Sequence, residues 1–295
     1  MLDPRKLRLL RELAQRETIA AVAAALSYTP SAVSQQLSAL ERDVGRPLLV
    51  RTGRTVRLTP AGEVLVEHTE AVLAGLERAR AAVATADGSA TGPVRLGSFT
   101  TAMRTLIPRV LNDVGQQPNT PTMSVLEMDP ARVPDLLRDG RLDMALVHEY
   151  SNVPSTMGAG IDLEPLIDEA VYLARLPITD ATDDPVRTHA SGPWIIASAG
   201  TMCHTMTVRT CQAHGFEPRT AHSIDDFTTT LQLVAMGAGV ALVPQLAIAE
   251  APDAVELIAL PITRHTRIAY RLGSRANPSY AAVAAALHRA ASRTI

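Results

Sequence analysis

Apolar residues over positions 1–86 recur mostly with helical spacing. Leu7, Leu10, Leu13 and Ala14 form a stripe behind Asp3 and Pro4, a capping residue followed by one suited to the first helical position. Residues 18–26 read as a second, small-residue helix, and Ser27 and Tyr28 leave a tight turn before a third. That third stretch, residues 29–40, opens on the Thr29 hydroxyl and Pro30. At about 100° per residue, Val33, Leu37 and Leu40 share one side, and Ser31, Ser34, Gln35 and Ser38 share the other. Residues 48–58 read as two short strands around Gly53, with Arg51, Arg54 and Arg57 projecting. Thr59 and Pro60 then open a long helix to about Ala86. Along it Leu65, Thr69, Val72, Leu76, Ala79 and Val83 recur with a 3.5-residue period, the spacing of a coiled-coil seam.

Beyond a hinge of small residues, Gly and Pro at 87–93, the pattern changes to alternating strands and helices. Residues 94–98, 122–127 and 142–147 read as strands, with helices over 101–114 and 130–138. A second set starts at the extended residues 163–176. It continues as strand 194–198, helix 202–214, strand 220–224, helix 226–236 and strand 240–243. Residues 254–270 are mostly extended, and 279–291 form a last helix. The repeated strand–helix order predicts two small α/β lobes built on parallel sheet. The fold class is α + α/β.

Composition sharpens the division. With 295 residues, 46% apolar and 20% charged, the chain has room for two or three globular domains. Residues 1–60 hold ten Lys and Arg against five Asp and Glu, whereas the rest hold 18 against 25. A basic head on an acidic body suits an anionic partner for the head alone. The N-terminus has no signal-peptide apolar core, and no apolar run approaches the ~18 residues of a membrane span. A cytoplasmic protein without membrane contact is expected. Two cysteines make no disulfide framework.

The polar side of residues 29–40 carries short hydrogen-bonding groups without bulk, a face fit to enter a major groove and read base edges. The two helices and their turn have helix-turn-helix spacing, and the arginine-bearing strands form a wing for phosphate or minor groove. Thr29, Pro30, Ser31, Ser34, Gln35 and Ser38, with Arg51, Arg54 and the weaker Arg57, are the expected DNA contacts. The plain alternative is a three-helix bundle with no DNA role.

On these residues the chain resembles the LysR-type transcriptional regulators. The matching pieces are Ala21 to Ala25 followed by Leu26, SAVSQQLSALE from Ser31, GRPLLVRTGRTVRLTPAG from Gly45, and the helix after it. Many members carry Gln-Pro where this chain has Pro30-Ser31, and Arg or Lys at Gln35, so operator preference does not carry over. The resemblance extends over nearly the whole chain. It implies a winged helix-turn-helix head (1–58), a linker helix (59–86), the hinge, and a two-lobed effector domain similar to periplasmic binding proteins (94–295). Residues near 163–168 and 262–270 would cross between lobes. Lobe one would then be about 94–162 and 268–295, and lobe two about 163–267. Linker helices of the family pair, which puts Leu65, Val72, Leu76 and Val83 in a homodimer seam. Double-stranded promoter DNA, a homotetramer and RNA polymerase are the further partners implied. An amphipathic helix packed on its own domain is the alternative for the linker.

Two strand-to-helix turns direct free N–H groups toward a common cleft if the lobes face each other. One holds Ser98, Phe99, Thr100 and Thr101, and the other holds Thr201 and Met202. His148 and Phe227 are second candidates there. The expected ligand is a small organic anion acting as co-inducer, at the position where the resemblance puts the family's effector. The alternative is that these hydroxyls only cap helices.

Cys203, His204, Cys211, His214 and His222 invite a metal reading. However, Cys203 and Cys211 lie eight residues apart on one expected helix, about 12 Å along its axis, too far for one metal. No metal or other cofactor is expected. The family's peroxide-sensing branch has two cysteines in a similar part of lobe two, so a redox-sensing regulator using Cys203 and Cys211 is the second functional reading. Asp225-Asp226 reads as a helix cap, and Gly158, Gly160, Gly237 and Gly239 as turns. No nucleophile motif is present, so no enzyme activity is expected. A two-lobed binding protein without DNA role is the remote alternative.

Overall fold

The head's helices begin where the sequence supplies caps. In the computed structural model, which describes residues 1–52, 55–86, 90–116, 118–155, 157–179 and 183–294, α1 (Pro4–Arg16) starts at Asp3. The Asp3 carboxylate accepts from the Arg5 backbone N–H at 2.8 Å. Thr18 caps α2 (Ile19–Leu26) and Thr29 caps α3 (Pro30–Val44) in the same way. α3 continues past the expected end at Leu40 and stops at Gly45, which takes the left-handed φ of 72° that an end cap needs. Val33, Leu37 and Leu40 bury against Leu7, Leu10, Leu13 and Val22. Each such burial contributes about 1.5–3 kcal/mol.

A wing follows. β1 (Leu49–Thr52) pairs antiparallel with β2 (Thr55–Leu58), Leu49 opposite Leu58. Glu41 ties α3 to this wing, its Oε1 accepting from the N–H groups of Leu48 and Leu49 at 2.9 and 3.1 Å. Thr59 accepts from the Gly62 N–H and so starts α4 (Pro60–Ala86), about 40 Å long. At Gly62 the helix passes so close to the Leu48 carbonyl that an added Cβ would collide with it. Gly53, Arg54 and the hinge residues 87–89 lie outside the described residues, as does the Arg51 side chain. The described end of the hinge is pinned, with the Gly92 N–H donating to Ser279 Oγ at 3.1 Å.

In lobe one, β3 (Val94–Ser98) pairs in parallel with β4 (Met123–Glu127) and β5 (Met144–Tyr150). The helix expected over 101–114 is two, α5 (Thr100–Thr105) and α6 (Ile107–Gly115), joined at Leu106 just before Pro108. Proline has no N–H to continue the ladder and restricts the residue before it. Likewise residues 130–138 divide into a 3₁₀ turn, Pro130–Arg132, and α7 (Val133–Arg138).

β6 (Ile161–Arg175) and β10 (Glu256–Arg271) are paired with each other over their lengths, from Ile161 opposite Arg271 to Arg175 opposite Glu256. Lobe two adds β7 (Pro193–Ile196), α8 (Met202–Ala213), β8 (Arg219–Ser223), α9 (Phe227–Ala235) and β9 (Ala241–Pro244). The main sheet has the order β4-β3-β5-β10-β6-β9. It is mixed rather than parallel. β3, β4 and β5 run together, as do β7 and β8, but β10 is antiparallel to β5 and β6, and β6 to β9. The two crossover strands cause this, because they traverse both lobes in opposite directions. β10 pairs with lobe one's β5 from Arg264 to Tyr270, and with β6 on its other side. α10 (Pro278–Ala291) returns to lobe one, where Val283, Ala286 and Leu287 join the core of Leu96, Leu106 and Val110.

Candidate functional site

The head presents the face that the sequence pattern predicts. Ser31 and Gln35 are exposed on α3, and Ser34 and Ser38 are half-buried beside them. The Thr29 hydroxyl accepts from the Ala32 N–H at 3.2 Å and lies 3.0 Å from Ser31 Oγ, so it organises the helix start. Pro30 is exposed at the first helical position, and Arg57 is exposed on β2. The exposed face of α3 and the strand that carries Arg57 therefore belong to one packed unit, held by the Glu41 bonds and the buried leucines.

On α4 the seam splits. Val72, Leu76 and Val83 are 42, 41 and 68% exposed, and Val64 is 55% exposed. Leu65 instead packs half-buried on the head's core, and Thr69 is buried with its hydroxyl donating to the Leu65 carbonyl. The reason is local: the first part of α4 covers the head, and its periodicity serves that core. Leu65 is thus removed from the free face.

Between the lobes lies a cavity of about 410 Å³. It brings together Phe99, Thr100, Thr101 and His148 with Thr201 and Phe227, as the sequence reading expects. Two expected residues are absent from its walls. Ser98 is fully buried at the end of β3, donating to the Phe99 carbonyl, and Met202 is buried in the lobe-two core. Strand alternation turns Ser98 inward, and the first turn of α8 points Met202 toward Trp194 and Val240 of that core.

Hydrogen bonds define what each wall group has left to offer. Thr100 Oγ1 donates to Glu127 Oε1 at 2.6 Å. Thr201 caps α8, accepting from the His204 N–H at 3.1 Å and donating to the Ser198 carbonyl at 2.8 Å. Capping thus occupies Thr201, while Phe99, at the start of α5, supplies no side-chain cap.

The group that the sequence reading missed is Arg264. It is fully buried in the cavity wall, ion-paired with Glu169, 3.3 Å from Thr101 Oγ1 and 5.1 Å from the centre of the Phe99 ring. Burial pulls its guanidinium down, but Glu169 outweighs this and holds it above its usual value. Its sequence signal is alternation: Ile262, Arg264, Thr266 and Ile268 occupy the inward positions of β10. Glu127, Asp129 and Asp225 also line the cavity. Asp225 accepts from Ser198 N–H and Oγ at 2.7 Å, and Asp129 accepts from the Ala131 N–H at 2.8 Å.

His148 is buried, packed edge-on to Phe99 and Tyr150 at 4.7 and 5.4 Å. Burial, helped by Arg264, holds its imidazole well below the usual value, so it is neutral near pH 7. Its Nδ1 has no hydrogen-bond partner among the described residues. Cys203 is half-buried in the same wall, its sulfur 3.2 Å from the Tyr150 hydroxyl and 3.7 Å from His148 Nε2. Burial pushes the Cys203 thiol up, against the Tyr150 hydrogen bond and Arg264. Cys211 is fully buried and pushed up to about 12, first by burial and then by Glu217. Both cysteines are free thiols. Among the described residues no three His, Cys, Asp or Glu groups converge on a metal position. His214 pairs with Asp184 at 2.8 Å, and His222 is exposed on β8. Asp226 caps α9 through the Thr229 N–H, as expected.

Comparison with known proteins covers both parts. Residues 4–63 match a family described as bacterial regulatory helix-turn-helix protein, lysR family, and residues 87–292 match the LysR substrate binding domain. A probable hydrogen peroxide-inducible genes activator from Mycobacterium avium is 31% identical over 253 residues, 82% of this chain and 78% of that protein. The regulator IlvY of Escherichia coli is 26% identical over 86% of each chain. The structure of a cysteine-to-serine mutant of Corynebacterium glutamicum OxyR with bound H2O2 superposes with a TM-score of 0.60 at 26% identity, covering 99% of this chain and 93% of that one. Among the described residues no helix is long and apolar enough to cross a membrane.

Proposed function

The chain belongs to the LysR family of DNA-binding transcriptional regulators, and on that premise we propose that it is switched by a small molecule held between its lobes. The observation that carries this is the interlobe cavity, whose walls come from both lobes and meet at Arg264 on a crossover strand. A ligand there contacts both lobes at once, so it binds one lobe arrangement better than another and shifts the population. Ser31, Ser34, Gln35 and Ser38 read bases, and Arg57 holds phosphate. Val72, Leu76 and Val83 pair α4 with a second copy, which spaces two heads for a two-fold operator. The dimer, or a tetramer built from it, then bends promoter DNA or presents it to RNA polymerase.

For the ligand, the favoured reading is a small organic anion that also carries hydroxyl or amino donors. Its anionic end suits Arg264 and the uncapped start of α5. Its donors suit Glu127, Asp129 and Asp225, which would repel a simple anion. The test is a screen of hydroxy and amino acids for a compound that changes affinity for the upstream DNA, followed by calorimetry. Thr100→Ala should weaken that compound about tenfold, in line with one lost hydrogen bond, because the Thr100 oxygen lines the cavity and can still accept. Thr201→Ala, whose hydroxyl is taken up by capping, should change it little. Unchanged affinity in Thr100→Ala would remove the cleft from this account.

A redox reading has one observation in its favour: Cys203 reaches the cavity in a chain whose relatives include a peroxide-inducible activator. Against it stand the raised Cys203 thiol and the buried Cys211, since the thiolate is the reactive form. A Cys203→Ser variant that keeps a normal DNA-binding response to peroxide would set this reading aside.

A further inference from the structure

A second cavity lies far from the cleft, where α1, α4 and lobe one meet. It encloses about 180 Å³, and its lining is dominated by six arginines: Arg5, Arg8, Arg11, Arg80, Arg138 and Arg271. Only Glu70 and Glu77 oppose them in the wall. Glu77 is shared by Arg80 at 3.0 Å and Arg271 at 3.4 Å, and Glu70 stands 3.8 Å from Arg11. Outside the lining, Arg11 pairs with the buried Glu12 at 2.8 Å and Arg271 reaches Asp143 at 3.6 Å. Arg8 and Arg138 are otherwise held by the more distant acids Asp139 and Asp135, each at 3.5 Å, and by main-chain carbonyls. Nε of Arg8 and of Arg11 is buried with no hydrogen-bond partner among the described residues. Burial, and then the charge of Arg11, push the Arg8 and Arg138 guanidiniums down. Six guanidiniums thus crowd one cavity whose own wall carries two acids, while their other partners, Glu12, Asp135, Asp139 and Asp143, lie outside its lining.

Burying like charges is costly unless something neutralises them. The guanidinium fork matches the oxygens of phosphate and carboxylate, and several forks around one cavity suit a multiply charged guest. We propose that this junction is a binding site for a compact, multiply charged oxyanion of the phosphate class. The three bodies contribute separately: Arg5, Arg8 and Arg11 from α1, Arg80 from α4, and Arg138 and Arg271 from lobe one. A bound anion therefore fixes the head against the effector domain. It is a second input to the same heads, independent of the interlobe cleft.

The test uses inorganic pyrophosphate and the full-length protein in thermal unfolding, with sodium chloride adjusted to constant ionic strength. Pyrophosphate should raise Tm in a saturable way. An Arg5→Ser/Arg80→Ser variant should weaken the apparent affinity at least tenfold; both residues are exposed, so the fold is retained. Arg57→Ala, on the wing, should leave the effect unchanged. The proposal is overturned by no rise beyond matched chloride, or by a rise that the double variant keeps. It is equally overturned by a rise that Arg57→Ala abolishes, which would place the anion on the DNA-facing wing.

Discussion

Glu169 and Arg264 are register partners on the two crossover strands, and their buried ion pair lies where the chain passes between lobes. Glu169 Oε2 also accepts from the Leu246 N–H of lobe two at 2.7 Å, while Arg264 reaches Thr101 of lobe one. One charge pair thus contacts both lobes and the cavity. It places a buried charged group in the cavity wall, on the two strands that connect the lobes.

Removing one partner should therefore be severe. Glu169→Gln leaves Arg264 buried with its charge uncompensated, and such changes cost roughly 3–5 kcal/mol. Urea unfolding of the variant should show that loss. The double change Glu169→Leu/Arg264→Met should lose much less, because no charge is then left unpaired. Equal losses in the single and double variants would mean that packing, not charge compensation, dominates this position.

His148 makes stability depend on pH. Its pKa in the folded chain is lowered by burial and by Arg264, whereas the unfolded chain has the ordinary value of about 6.5. Below that value the unfolded state binds more protons, so stability falls as pH drops. The slope from this group is at most about 1.4 kcal/mol per pH unit. Between pH 7 and 5 the wild type should lose more Tm than His148→Gln. Identical pH curves would show that His148 takes up its proton without hindrance in the folded state.

The exposed valines of α4 should decide assembly. Val72→Glu/Val83→Glu places like charges on the free face and touches neither the head core nor lobe one. Sedimentation should show the wild type as a dimer or larger, and the variant shifted toward monomer. An unchanged sedimentation profile would move the interface elsewhere.

The sequence carried the order of elements well, because capping residues and periodicity are local signals. Asp3, Thr29 and Asp226 cap where their types suggest, and α4 spans the length that its pattern implies. Two kinds of feature were not legible. The mixed sheet depends on how β6 and β10 pair over long range, which no local pattern encodes. The site depends on partners distant in sequence: Arg264 needs Glu169 and Thr101, and nothing beside it on β10 announces them. Ser98 and Met202 show the opposite error. Each sits in a turn that does open on the cleft, but the side chain points the other way. Leu65 fits the seam by spacing, yet the head's core claims it.

The central claim is that the head reads DNA in sequence through α3. It is tested most directly by binding of the purified protein to its own upstream intergenic DNA and to an unrelated fragment. Wild type, Gln35→Ala and Arg57→Ala would be compared at two salt concentrations. The account predicts tight, salt-sensitive binding to the upstream fragment. Gln35→Ala should weaken mainly that specific complex, by about 1–3 kcal/mol, and Arg57→Ala should weaken both fragments alike and lower the salt slope. Folded protein that binds both fragments equally weakly, with neither substitution changing the result, would contradict it.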